Sequence, residues 1–335
     1  MKKKRNSKQN KKNVVDNSLK GSLSELFNEI KTFVKNDFHF GAYLYTLVFI
    51  AVIIFINYHF DFYTKFINPT FFTGKAQIAF FLMYGFVYFA VAVPTLCLRK
   101  EFSKLKQPKF YLKSLFFITL YSISIGFYSY SNWEMLTLTP YERAFIIRLF
   151  SDLKGCFLIM LPLIIFKIFF DKKINGIYGL SKNSKHIKIY FLALCVMLPF
   201  LIATSFSADF LSAYPQFKPW YYENIFGVTE VVFTPIFEIF YAIDFINTEL
   251  FFRGALVIGM TAILGPRAVL PMVAFYVSIH FGKPIGETIS SMFGGYLLGI
   301  LAYQTKHIWG GVMAHIGIAL TMEIMGFLHY YVFKN

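Results

Sequence analysis

Long apolar runs broken by short polar segments set the rhythm of this chain. Residues 41–60, 76–98, 115–130 and 189–206 contain almost no charge. A hydrocarbon core about 30 Å thick is crossed by roughly 20 apolar residues rising 1.5 Å each. Lipid offers the backbone no hydrogen-bond partner, so each span must be a helix or part of a closed barrel. The strict apolar/polar alternation of a barrel is absent. The pattern predicts an all-α, polytopic transmembrane helical bundle.

Four spans are expected before residue 170. The second half adds spans near 189–206, 229–247, 249–264, 268–281, 286–304 and 308–333. Because 229–264 reads as one kinked helix or as two, the expected number is eight to ten. The organisation that follows is a basic cytoplasmic tail with an amphipathic helix (1–38), an N-terminal four-span bundle (39–170), a cytoplasmic linker (171–187) and a C-terminal core (188–335). Gly176, Gly179 and Asn183 mark the linker. Within the tail, Leu23, Leu26, Phe27, Ile30 and Val34 recur at helical spacing, and Ser22 with Glu25 reads as a capping box. Such a helix lies on a membrane surface.

Composition sharpens this picture. Of 335 residues 56% are hydrophobic and 15% charged, against about 25% charged in soluble domains. The net charge of +15 would suit nucleic acid if it formed a module, but it is spread by topology. Ten Lys or Arg fall in the first 36 residues, and others cluster at 99–113 and 172–188. The loops near 61–75, 132–142 and 209–223 carry few. This alternation is the positive-inside pattern, so the basic segments and the N-terminus are expected in the cytoplasm, and the tail can meet anionic lipid. No nucleic-acid partner is expected. Cys97, Cys156 and Cys195 lie in apolar runs without a C-x-x-C pair and read as small buried hydrophobes. About 35 polar residues precede the first span, which is expected to act as an uncleaved anchor.

Chemistry concentrates in the second half, where Glu238, Asp244, Glu249, Arg253, His280, Glu287, His315 and Glu323 fall in apolar surroundings. Ionisable groups at membrane depth are expensive and point to function. Glu249 precedes Arg253 by four residues, the favoured order for a pair on one helix face, and Glu238 lies three turns earlier on nearly the same face. His280 is followed by Phe281-Gly282-Lys283-Pro284, and the proline should open a new helix with Glu287 in its first turn. His315 lies inside the final span, one turn before Ala319 and two before Glu323. In the first half, Arg148 and Asp152 can pair on one face. Gly295 and Gly299 form a G-x-x-x-G close-packing signal. Two imidazoles with a carboxylate suit a divalent metal, zinc among them, with Glu249, His280 and His315 as ligands. An H-E-x-x-H motif is absent.

At these residues the sequence resembles the CPBP family, also called Abi: intramembrane metalloproteases related to type II CAAX prenyl endopeptidases. That family shows Glu-Glu-x-x-x-Arg, then aromatic-x-x-x-His, then His-x-x-x-Asn on successive membrane helices. Here Thr248-Glu249-x-x-x-Arg253, Tyr276-x-x-x-His280 and His315-x-x-x-Ala319 stand in order, over roughly residues 188–333. The stretch Gly294 to Gly299 looks like the helix between the two family histidines. The resemblance implies a metal-dependent endopeptidase in a bacterial cytoplasmic membrane, acting on a peptide or membrane-protein substrate. Glu249 and His280 would activate water, His315 would support the oxyanion and Arg253 would orient Glu249. Two positions depart from the pattern. Thr248 replaces the glutamate assigned to water activation, and Ala319 replaces the asparagine that supports the oxyanion. Glu287, Glu323 or Asp244, one turn before Thr248, are the auxiliary carboxylates that would make up the loss. The alternative is a catalytically inactive pseudo-protease serving as scaffold or assembly partner of a membrane complex. A transporter is disfavoured, because polar residues occupy one half only.

Overall fold

The computed structural model describes residues 19–132, 137–174, 176–182, 187–222 and 224–333. The basic segment 1–18 and Asn183 lie outside them. Helix α1 (Leu19–Asp37) rests across one end of the molecule. It is already helical at Leu19, so Ser22 sits within the helix and does not cap its start, which corrects the capping-box reading. Leu26 packs with Tyr190, Leu301 and Ala314, and Phe33 meets Tyr303 edge-on, whereas Phe27 stays exposed. The amphipathic pattern therefore seats the helix on the bundle by one face and leaves Phe27 outward.

Nine helical passes follow among the described residues. They are α2 (Phe40–Phe60), α3 (Ala76–Leu98), α4 (Pro108–Gly126), α5 (Pro140–Phe170), α6 (Ile187–Thr204), α7 (Glu230–Glu249), α8 (Val269–Ser278), α9 (Ile285–Thr305) and α10 (Trp309–Tyr331). Proline opens α4 and α5, where its missing N–H costs nothing, and Thr139 with Glu142 forms a capping box on α5. Among the described residues, seven stretches are long and apolar enough to cross a membrane. One of them, Glu230–Ser278, has 49 residues, about 74 Å of helix and more than twice a bilayer core. It runs from α7 through a π-helical stretch, Leu250–Gly259, turns at 261–268 and returns as α8. The sequence segment 229–264 is thus one kinked helix. α8 is short, but all ten of its residues are buried, so no irregular backbone beside it need face lipid.

Contacts between connections sort them into two ends. At one, Asp37 receives Arg99 and Arg267, Lys113 meets Asp171, Gln304 donates to the Glu29 carbonyl and Trp309 to the Ser181 carbonyl. At the other, Tyr58 donates to the Lys283 carbonyl, Ser205 meets His329, and Tyr331 donates to Glu230. Every pass joins one end to the other. Between them α3, α4, α8 and the π-helical stretch share an aromatic core of Tyr84, Tyr121, Phe251, Phe252 and Phe275. Exposed Leu82, Phe86, Phe191 and Ile239 form the lipid-facing exterior. Arg148 does not take Asp152 as its partner. It donates to the Gln216 carbonyl at 3.0 Å instead.

Candidate active site

Tyr276, in the last turn of α8, is where the site is assembled. Helix α9 can approach it closely because Gly295 has no side chain: a Cβ there would stand 2.9 Å from the tyrosine ring. Gly299, one turn on, faces Met272 in the same way, so the G-x-x-x-G pair is the seat of α9 on α8. His280 follows one turn after Tyr276. Its Nδ1–H donates to the Tyr276 carbonyl at 2.8 Å, which leaves Nε2 as the nitrogen with a lone pair. Pro284 then caps α9, with Glu287 in the first turn as expected.

Glu249 closes α7, and Arg253 lies in the wider turn that follows. Both are fully desolvated, at 0% and 1% side-chain exposure, and Arg253 Nη1 approaches Glu249 Oε1 at 2.9 Å. The guanidinium also lies 4.2 Å from the centre of the Tyr276 ring, whose electron-rich face attracts a cation strongly when both are dry. From α10, His315 brings Nδ1 to 3.1 Å from the same Glu249 oxygen. A carboxylate only accepts, so Nδ1 carries the proton, and the Tyr276 hydroxyl, 3.1 Å from Nε2, donates to the remaining lone pair. The π-helical turn and the α10 backbone meet so tightly that a Cβ on Gly311 would fall 2.2 Å from Glu249 Oε2. Glu249, Arg253, Tyr276, His315 and His280 therefore form one contiguous buried patch.

The four residues expected to act together are brought together, and the auxiliary ones are not. Thr248 faces away from Glu249. With Asp244, Asp152, Lys154, Ser124 and Tyr121 it lines a separate cavity of about 150 Å³ between α4, α5 and α7. Glu287 is engaged by Lys283 at 2.8 Å and by the Tyr214 hydroxyl at 3.0 Å. Both oxygens of Glu323 accept the Gln216 backbone N–H at 2.9 Å. These two carboxylates fasten the 205–222 connection over the end of the bundle. Glu238 makes no hydrogen bond among the described residues, and Ala319 is buried with nothing to donate.

The expected metal set is not assembled in the present arrangement. Among the described residues no group of three His, Cys, Asp or Glu side chains is disposed to hold an ion. The reason lies in the donor atoms: both nitrogens of His315 and one oxygen of Glu249 are committed to each other, to Tyr276 and to Arg253, and His280 has turned Nδ1 to the backbone. As arranged, the residues do not fit a divalent metal. Two features escaped the sequence reading. The Tyr276 hydroxyl was visible only as the aromatic of a motif, and no pattern marked Gly311.

Residues 227–321 match the family model described as type II CAAX prenyl endopeptidase Rce1-like. This stretch of the C-terminal half is thus similar to that family, and the likeness does not extend over the rest of this multi-pass membrane protein. No curated protein and no solved structure matches the chain.

Proposed function

We propose that the chain is a membrane-embedded endopeptidase that cleaves a peptide or a membrane-protein tail, with its N-terminus in the cytoplasm. The observation that carries this reading is the Glu249–His315 contact, held from one side by Arg253 and from the other by Tyr276, with His280 one helical turn away. His280 Nε2 takes a proton from the attacking water as the carbon–oxygen bond forms, then returns it to the leaving amine. His315 lines the same centre, its one N–H given to Glu249 and its Nε2 to the Tyr276 hydroxyl. Glu249, being fully buried, meets no water in this arrangement and acts by holding His315, while Arg253 Nη1 stands 2.9 Å from its Oε1. A divalent metal would supply Lewis-acid polarisation of the carbonyl; His280 Nε2 is free to hold one, and His315 would first have to release Glu249 or Tyr276.

A second reading, a scaffold without activity, is favoured by Thr248 facing the other cavity and by Ala319 offering no donor. The test is a comparison of new peptide termini, by mass spectrometry, in membranes carrying the wild type, Glu249→Gln or His280→Ala. Loss of a defined set of termini in both variants at normal abundance supports the protease. Identical termini, with full function of the Glu249→Gln, His280→Ala, His315→Ala triple variant in cells that need the gene, would establish the scaffold. His280→Ala carries the test if Glu249→Gln lowers abundance, because the only hydrogen bond assigned to that ring is to backbone.

A further inference from the structure

We infer that the Tyr276 hydroxyl is the positioning group of this site, fixing His315 in a single tautomer. The inference rests on the protease reading for its catalytic consequence but not for its geometry. A family motif that asks for any aromatic is met equally by Phe, yet this chain presents a phenol whose oxygen stands 3.1 Å from His315 Nε2. The opposite nitrogen of the same ring is 3.1 Å from Glu249. Carboxylate, imidazole and phenol thus form one chain in which each proton position follows from the last. The buried carboxylate must accept, so Nδ1 bears the proton, so Nε2 must accept, so the phenol donates.

Three further contacts hold the phenol itself. Arg253 stacks on its ring at 4.2 Å, Gly295 lets α9 close against its edge, and its own carbonyl holds His280. One residue therefore sets the ring plane of His315, the tautomer of His280 and the seat of Arg253. Phe at 276 would preserve the ring contacts and the carbonyl while deleting the hydroxyl alone.

The experiment is 15N NMR of the full chain in detergent micelles with labelled histidine, the His315 signals being assigned by their loss in His315→Gln. In the wild type, His315 should show one protonated nitrogen and one hydrogen-bonded imine nitrogen. In Tyr276→Phe the imine signal should move to the position of a free imine, with His280 unchanged. Any cleavage found for the wild type should fall about 10²-fold in kcat, the scale of a misplaced reacting group, with KM unchanged. Unchanged His315 signals in Tyr276→Phe overturn the inference whether or not the protein cleaves anything. Lost cleavage with unchanged signals would also overturn it, since the phenol would then act elsewhere. A wild type without cleavage but with the expected spectral change defeats the protease reading and leaves the positioning role standing. Should Tyr276→Phe fold poorly, 3-fluorotyrosine at 276 keeps the shape and makes a stronger donor, and the imine signal must then shift the other way.

Discussion

Gly311 measures how little room surrounds Glu249. A Cβ there would lie 2.2 Å from Oε2, well inside any allowed contact, and the backbone of α10 is held nearby by the packing of the bundle. Gly311→Ala must either push α10 away or rotate Glu249 off His315 and Arg253. Overpacking of this kind costs about 1–3 kcal/mol, so the thermal midpoint of the purified protein in detergent should drop clearly and the His315 imine signal should change with it. A variant as stable as the wild type with unchanged signals would show that the carboxylate does not sit under that glycine. Glu249 and Arg253 were legible in the sequence because a four-residue spacing in an apolar helix almost dictates a pair. His315 and His280 were legible because imidazoles are costly among lipid-facing residues. The phenol of Tyr276 was not, since one tyrosine among 22, in a chain with 43 phenylalanines, carries no mark of its own. Nor can spacing reveal which nitrogen of an imidazole is already taken, which is why the residue types suggested a metal set that the donor atoms do not present.

At the level of elements, α1, α3 and the turn before α8 are joined by a buried acid. Asp37 has no exposed surface. Its Oδ1 receives Arg267 Nη1 at 2.7 Å, and its Oδ2 receives the Tyr43 hydroxyl at 2.7 Å and Arg99 Nη2 at 3.4 Å. Removing one member of such a group leaves buried charge uncompensated, at a cost of about 3–5 kcal/mol. Asp37→Asn should therefore lower the unfolding midpoint in denaturant more than Lys65→Ala, whose pair with Asp61 is solvent-exposed. Equal effects would mean that the clamp contributes nothing. Glu101 completes the group. Burial alone would raise its carboxyl, but hydrogen bonds from Lys104 and Arg267 outweigh this and hold it below its ordinary range. A depressed folded value gives stability that is present above the unfolded pKa of about 4.3 and is lost as pH falls through the folded one. Acidification below that range should loosen this end first, seen as faster hydrogen exchange in α1. The sequence placed Arg99 in a basic patch, but a pairing across 62 residues, and another across 230, leaves no local pattern to read.

For the molecule as a whole, the geometry says which connections share a side, and only the charge bias says which side that is. The end carrying α1 also carries the 99–107 connection, the 171–182 segment and the turn at 261–268, tied through Asp37, Arg99, Asp171 and Arg267. Those connections hold Lys100, Lys104, Lys106, Lys172, Lys173 and Lys182, whereas the opposite end has the sparser Lys65, Lys75, Lys218 and Lys283. Nine passes require the two termini of the spanning region to lie on opposite sides, which agrees with α10 finishing beside Glu230 and not beside α1. The helix count puts the termini of the spanning region on opposite sides, and the lysine distribution alone supports the proposal that the basic end is cytoplasmic under the positive-inside rule. Substituted cysteines test this directly in a background where Cys97, Cys156 and Cys195, all free thiols, are replaced. A membrane-impermeant maleimide applied to intact cells should label Lys65→Cys at once and Lys104→Cys or Lys182→Cys only after permeabilisation. Strong labelling at 104 or 182 from outside would invert the protein in its membrane. Labelling of 104 and 65 from the same side would go further and contradict the two-ended arrangement of the nine passes itself.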